Sequence, residues 1–370
     1  MTLYIGLMSG TSMDGIDAAL VNFDPQRDRP ELVATHARSW PEDLVQQLHA
    51  ICAPGENEID RMGWLDQKVA EEFAAAVADL LTQAGIRHDQ VCAIGSHGQT
   101  IRHRPELGFT LQIGNGARLA VETGIDVICD FRAKDIALGG QGAPLVPAFH
   151  QAVFASSQNM RMILNIGGIA NVSVLPGPDD QVFGFDTGPG NTLMDQWYRK
   201  HKGGNYDPKG AWAASGWVNS DLLNRLLGHP YFHMPHPKST GRETFTLPWM
   251  ELFLAERPPM RLEDVQRTLL EFTARSISDA LLPLASGVKE PELFICGGGV
   301  HNDALVYRLM DLLPGWHLDS TDALGLHPDW VEAIAFAWLA KSFLDGRAGN
   351  LSAVTGASRQ AILGCLCPAG

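Results

Sequence analysis

Basic residues are in short supply in this 370-residue chain: 28 Lys and Arg stand against 42 Asp and Glu, a formal charge of −14. A sequence-independent DNA or RNA binder carries a basic footprint, so that class is not expected. Charged residues of all kinds reach only 19 %, where about 25 % is usual. Cysteine is scarce as well, with six residues at 52, 92, 129, 296, 365 and 367 and no pair of C-x-x-C motifs. A zinc site or a disulfide framework is therefore not expected, and a reduced cytoplasm is the expected setting. Cys365 and Cys367, one residue apart, are too few to argue for a metal. The opening MTLYIGLMSG lacks a basic stretch and a long apolar run, so no signal peptide is expected. Residues 136–160 carry no Asp, Glu, Lys or Arg, but five Gly and Pro residues, several glutamines and His150 interrupt them. That segment reads as a buried loop and a strand–helix junction, with no membrane span expected.

Familiar nucleotide-binding devices are missing too. There is no G-x-x-x-x-G-K-[ST], and Gly188-Pro189-Gly190 is followed by Leu193 where the dinucleotide fingerprint needs a third glycine. Protein-kinase signatures are also lacking.

Glycine, by contrast, is plentiful: 38 residues, about one in ten against a usual 7 % or so. It gathers in pairs and triplets at the ends of apolar runs. Residues 3–8 read as a strand, SGTSMDG as a polar turn, and 16–23 as the returning strand. Residues 162–166, Gly167-Gly168 and 171–174 repeat that pattern, which predicts a duplicated domain. Leu65, Val69, Phe73 and Leu80 share one helical face, as do Leu262, Val265, Leu269 and Phe272. Strands are expected at 91–94, 182–185 and 293–296, with a helix starting near Asn302 and an apolar helix over 329–343. Strand–helix alternation with glycine at strand ends predicts α/β domains that bind ligands at the carboxyl ends of their strands.

A turn that grips phosphate needs close backbone approach and inward N–H groups. Five segments qualify: 9–15, 139–142, Gly167-Gly168, 188–191 and 297–299. If phosphates bind, Mg²⁺ is expected to balance their charge, and phosphoryl transfer then needs one base. Asp14 and Asp17 flank the first turn, and Asp186 precedes the Thr187–Asn191 turn. From spacing alone Asp186 has two readings, a carboxylate facing the ligand or a cap for the helix that follows.

The segment 6–17, GLMSGTSMDGID, resembles the N-terminal signature of the anhydro-N-acetylmuramic acid kinases. GSHGQT at 95–100, DFRAKDIALGGQGAPLVPAFH at 130–150, LNIGGIANVS at 164–173, GFDTGPGN at 184–191 and PKSTGRE at 237–243 are similar to the same family in the same order. CGGGVHN at 296–302, the Glu332 helix and VTGAS at 354–358 extend the likeness to nearly the whole chain. Met13 stands where the family pattern suggests Leu.

The resemblance implies a duplicated two-lobe actin-like ATPase (ribonuclease H-like) fold with an interlobe cleft for ATP. The expected lobes are residues 1–131, with a C-terminal helix over 340–370 packing back on them, and residues 132–339. It also implies that 1,6-anhydro-N-acetylmuramic acid, ATP with Mg²⁺, and water give N-acetylmuramic acid 6-phosphate and ADP, in peptidoglycan recycling. The phosphate loop would then be Gly10, Thr11, Ser12, Met13, Asp14, Gly15, Ile16 and Asp17, with Gly167 and Gly168 as its counterpart. Gly188 and Gly190 would join the ATP site, Gly297, Gly298, Gly299 and Asn302 would line the adenosine pocket, and Asp186 would be the base. Arg132 is the first choice for the lactyl carboxylate, with His97, Gln99 and Thr100 nearby, and Glu332 would meet a sugar hydroxyl. Lys238 and Arg242 stay outside this set. No dedicated protein metal site, nucleic-acid partner or membrane partner is expected, and a homodimer fits the resemblance. Two rivals stand: a kinase of the same fold acting on a free hexosamine, and an actin-like or chaperone-like ATPase.

Overall fold

A computed structural model describes every residue except 1, 12, 27–28, 178–180, 237 and 242–243. Of the expected site, Ser12 lies outside the described residues, as does Arg242. The chain forms two compact units, Met1–Val153 with Trp330–Gly370, and Phe154–Asp329.

In the first unit, β1 (Leu3–Met8), β2 (Ile16–Asn22) and β3 (Glu31–Arg38) form an antiparallel meander. β4 (Val91–Ser96) lies parallel to β1, and β5 (Gln99–Arg104) pairs with β6 (Phe109–Ile113) in a separate hairpin. β7 (Val127–Cys129) lies parallel to β4 and extends the main sheet. In the second unit, β8 (Arg161–Ile166), β9 (Ile169–Leu175) and β10 (Phe183–Pro189) again form an antiparallel meander. β11 (Glu292–Cys296) is parallel to β8, and β12 (His317–Ser320) is parallel to β11. The spatial orders are β3-β2-β1-β4-β7 and β10-β9-β8-β11-β12, so each unit reads third, second, first, fourth, fifth. The duplication expected from two glycine-tipped hairpins therefore extends to a whole five-stranded α/β unit. β13 (Cys365–Cys367) adds an antiparallel edge beside β7 in the first sheet.

Each unit has its own apolar core. Leu65, Val69, Phe73 and Leu80 of the helix Glu58–Ala84 are buried against the first sheet. Val265, Leu269 and Phe272 of the helix Leu262–Leu281 are buried in the second, while Leu262 at its start is exposed. Among the described residues, no helix is long and apolar enough to cross a membrane.

The unit boundary differs from the sequence expectation. Residues 132–153 and 330–339 lie in the first unit, and 340–370 is not one helix: the helix Val331–Leu344 ends early, a short helix Ser352–Thr355 follows, and the chain finishes in β13, paired to β7. Asp135, fully buried, accepts hydrogen bonds from Gly142 N (2.8 Å), Asn350 Nδ2 (2.6 Å) and Thr355 Oγ1 (2.7 Å). One carboxylate thus ties 132–142 to the C-terminal segment. The helix Val331–Leu344 lies on β1 and β4 at points where those strands have no side chain. A Cβ at Gly6 would sit 1.8 Å from the Ala333 carbonyl oxygen, and one at Gly95 would sit 2.0 Å from that of Phe336. Backbone is the obstacle in both places, and it cannot rotate aside. Gly6→Ala is expected to cost roughly 1–3 kcal/mol of stability, measured as a lower midpoint in denaturant.

Candidate active site

The loop joining β1 to β2 is held from beneath by buried polar groups. The Ser9 hydroxyl lies 2.8 Å from Gln99 Oε1 and 2.9 Å from the Gly15 carbonyl oxygen, and it accepts from Trp40 Nε1 at 3.2 Å. Gln99, at 0 % exposure, donates through Nε2 to the Gly10 carbonyl at 3.2 Å. Met13 N–H closes back on the same carbonyl at 3.1 Å. Met13 has φ 57°, a left-handed value that side-chain-bearing residues avoid, yet its side chain is only 4 % exposed within the first core. An apolar anchor is a role that Met, like the expected Leu, can fill. Thr11 and Asp14 stay exposed, Gly10, Gly15 and Asp17 are half-buried, and Ile16 is buried at the start of β2.

His97 has a single possible tautomer here. A guanidinium only donates, so the 3.0 Å contact from Arg132 requires a bare Nε2, and Nδ1–H then donates to the Ser9 carbonyl at 3.1 Å. Burial and the neighbouring Arg132 charge hold the imidazole down to about 3, keeping it neutral. Both ring nitrogens are therefore engaged by the protein, as is the Gln99 amide. These two residues, expected to meet substrate, hold the loop and Arg132 in place in this structure. Thr100 is half-buried on β5, where its hydroxyl accepts from Gln112 Nε2 at 3.0 Å.

Arg132 also donates to the Gly142 carbonyl at 2.8 Å. Burial lowers its pKa to about 10, opposed by the charges of Glu332 and Asp135, so it stays cationic at neutral pH. Burial raises the Glu332 carboxyl while the Arg132 charge pulls it down. Glu332, partly buried on the apolar helix and acted on by the Arg132 charge, is not a residue of its far surface. The charges of the two substrate candidates act on each other, which separate motifs in the sequence did not reveal.

In the second unit, the Gly167-Gly168 turn sits against the segment 188–192. Gly190 N–H and Thr192 N–H donate to the Gly168 carbonyl at 2.9 and 3.1 Å, and Asn191 N–H donates to that of Gly167 at 2.8 Å. A Cβ on Gly190 would lie 2.3 Å from the Gly167 carbonyl oxygen. The amide of Gly190, expected at phosphate, thus supports the neighbouring turn. A trans peptide points the Gly168 N–H opposite to the Gly167 carbonyl, away from that support. Gly188 lies within β10, beside Phe232 and Ser276.

Asp186 also departs from the expected turn. β10 continues to Pro189, and the register against β9 shifts between Asp186 and Gly188. This bulge absorbs Thr187 and keeps the strand paired. The following helix, Thr192–Lys202, has Asn191 at its N-cap position, so Asp186 does not cap it. One carboxylate oxygen, Oδ2, accepts from Thr240 N–H at 2.9 Å. Burial raises the carboxyl to about 6, and that single amide opposes the rise. At neutral pH the group is mostly ionised and basic enough to take a proton. Lys238, left outside the expected set, places Nζ 3.2 Å from the Tyr231 carbonyl and 4.7 Å from the Tyr231 ring centre.

The Gly297–Gly299 turn closes β11. Gly297 has φ 77°, and a Cβ on Gly299 would lie 2.3 Å from Ile166 Cγ2, so both glycines let the turn lie on β8. Gly298 is exposed with nothing near its Cβ position. Asn302 Oδ1 caps the helix Asp303–Leu312 through Leu305 N–H at 3.1 Å. Directly after it, Asp303, Tyr307 and Arg308 join Lys209 and Arg267 in lining a cavity of about 360 Å³.

The family model for anhydro-N-acetylmuramic acid kinase matches residues 2–369. The chain belongs to that family. It is 56 % identical to the anhydro-N-acetylmuramic acid kinase of Shewanella oneidensis over 98 % of this chain and 97 % of that protein. It is equally identical to the one from Shewanella sediminis, over 99 % and 98 %. More distantly, a ROK family glucokinase from Streptomyces griseus, solved with glucose and AMPPNP, is 13 % identical. That likeness covers 92 % of this chain and 99 % of the glucokinase with a TM-score of 0.40.

Proposed function

We propose that this chain is an ATP-dependent kinase that hydrolytically opens 1,6-anhydro-N-acetylmuramic acid and phosphorylates O6, yielding N-acetylmuramic acid 6-phosphate in peptidoglycan recycling. Family membership supports the substrate. The observation that carries the chemistry is Asp186, a half-buried strand carboxylate raised to about 6 and bonded through Oδ2 alone among the described residues.

Asp186 takes a proton from water, and the water oxygen attacks the anomeric carbon as the bond from that carbon to O6 breaks. The freed O6 attacks the γ-phosphorus, and ADP leaves. Arg132, cationic and within the influence of the Glu332 charge, takes the lactyl carboxylate, and Glu332 takes a sugar hydroxyl. The loop 10–17 and the amide of Gly168 receive phosphate, and the 297–299 turn with Asn302 receives adenosine. Among the described residues, no group of three or more His, Cys, Asp or Glu side chains could hold a metal. Mg²⁺ would arrive with ATP, held by phosphates and waters, with Asp14 and Asp17 as the adjacent acids. The ion would balance charge on the phosphates. The reading includes a cytoplasmic homodimer, which sedimentation of the purified protein tests.

ADP release measured with the anhydro sugar, with free N-acetylmuramic acid and with glucosamine derivatives tests the reaction. Turnover confined to the anhydro sugar is expected. Equal rates on a free hexosamine would overturn ring opening, and sugar-independent turnover would favour a motor-type ATPase. Since the reactive form of Asp186 is ionised, kcat/KM is expected to fall tenfold per pH unit below about 6 and to level off above it. An acid limb near 4 would contradict the raised carboxyl.

A further inference from the structure

Tyr231, Lys238 and Thr240 hold Asp186 through three of its four polar atoms. Asp186 N–H donates to the Lys238 carbonyl at 3.1 Å. The Tyr231 hydroxyl donates to the Asp186 carbonyl at 2.6 Å. Thr240 N–H holds Oδ2 at 2.9 Å. These contacts leave Oδ1 as the working oxygen and fix its direction. Three bonds from that same nitrogen, Thr240 Oγ1 is buried and has no hydrogen-bond partner among the described residues. Buried hydroxyls in folded proteins are almost always hydrogen-bonded, to protein or to water. An unmatched one beside a reactive carboxylate therefore marks where a small polar molecule belongs.

We propose that the Thr240 hydroxyl is the second hydrogen-bonding group for the water that Asp186 activates, with Tyr231 as a positioning residue behind the carboxylate. The proposal rests on Asp186 being the base. Water places one hydrogen on Asp186 Oδ1 and the other on Thr240 Oγ1, which aims an oxygen lone pair at the anomeric carbon. The first proton passes to Asp186 as the new carbon–oxygen bond forms and the bond to O6 breaks. The second hydrogen stays on the product hydroxyl. A carboxylate alone fixes one hydrogen and leaves the lone pair free to swing, whereas two acceptors fix the plane of the water.

The test compares Thr240→Val, which keeps the shape and removes the hydroxyl, with Thr240→Ser, which keeps the hydroxyl, and with Asp186→Asn, all as full-length protein. Thr240→Val is expected to lower kcat roughly tenfold or more, with the KM for sugar and for ATP within about twofold of wild type. Thr240→Ser is expected to recover most of the loss. The melting temperature of Thr240→Val should match that of wild type, because removing an unpartnered hydroxyl breaks no protein contact among the described residues. Undiminished kcat in Thr240→Val, a Ser variant as slow as the Val variant, or a loss confined to KM would each overturn the proposal. If Asp186→Asn turns over normally, the base assignment itself fails. If Asp186→Asn is inactive while Thr240→Val is normal, only the role of Thr240 falls.

Discussion

Asp186→Asn is expected to abolish turnover while leaving a folded protein that still binds ATP. Asparagine has nearly the same shape, and its side-chain oxygen can still accept from Thr240 N–H, the contact seen at 2.9 Å. It cannot accept a proton at neutral pH. A general base contributes roughly 10²–10⁴-fold, so kcat should fall by at least that range, measured as ADP release at saturating sugar. A second readout follows from linkage. The carboxyl sits at about 6 in the folded chain against 3.8 ordinarily, because burial disfavours its charge. A group raised in this way favours folding at low pH, and its contribution is lost as pH climbs from about 4 to about 6. At pH 7 the wild-type protein holds a buried charge that asparagine removes, so the variant should be more stable, by up to about 3 kcal/mol. An inactive variant with a lower melting temperature at pH 7 would point to disrupted packing and not to a lost base.

The second large effect is expected from Arg132→Met. Methionine fills much of the same space but loses the donor to the Gly142 carbonyl at 2.8 Å and the donor to His97 Nε2 at 3.0 Å. It also removes the cation that keeps the buried Glu332 carboxyl from rising further. Hydrogen bonds to charged groups are worth about 1.5–3 kcal/mol, so kcat/KM for the anhydro-muramic substrate should fall roughly 10- to 150-fold. If Arg132 binds the lactyl carboxylate, the loss should appear mainly as a raised sugar KM. An anhydro sugar lacking the lactyl group should then lose far less. An equal loss on both sugars would mean that Arg132 acts only by holding His97 and the 132–142 segment. Pairing Arg132→Met with Glu332→Gln should give a smaller stability loss than the sum of the two single changes, because the unpaired buried charge is gone.

Local patterning made much of the framework legible. The two glycine-tipped hairpins, the strands ending at Ser96 and Cys296, and the apolar faces of the helices Glu58–Ala84 and Leu262–Leu281 follow from period-2 and period-3.6 spacing, which neighbouring residues impose directly. Asp186 was legible as a candidate, but its strand position was not. Thr187-Gly188-Pro189-Gly190 has the composition of a turn, and only pairing with β9 across a bulge keeps it extended. Tyr231 and Thr240 went unnoticed because nothing in a Tyr or Thr far along the chain announces a bond to Asp186. The segment PKSTGRE did carry a signal, since it matched the family as a block. Asp135, Asn350 and Thr355 were hidden in the same way: they lie far apart in sequence but meet at one buried carboxylate.

By itself, then, the sequence determined the class of molecule: an acidic, glycine-rich α/β chain with duplicated hairpins and the ordered motifs of one kinase family. Those properties depend on residue type and short spacing, which folding does not alter. The tertiary structure decided which atoms are committed and which are available. It engages both nitrogens of His97 and the amide of Gly190, sets the charges of Arg132 and Glu332 against the burial of each, moves 132–153 into the first unit, and leaves unpartnered the hydroxyl of Thr240, whose amide holds Asp186. The reason is physical: hydrogen bonding and burial depend on partners brought together from distant parts of the chain, and no local pattern specifies them.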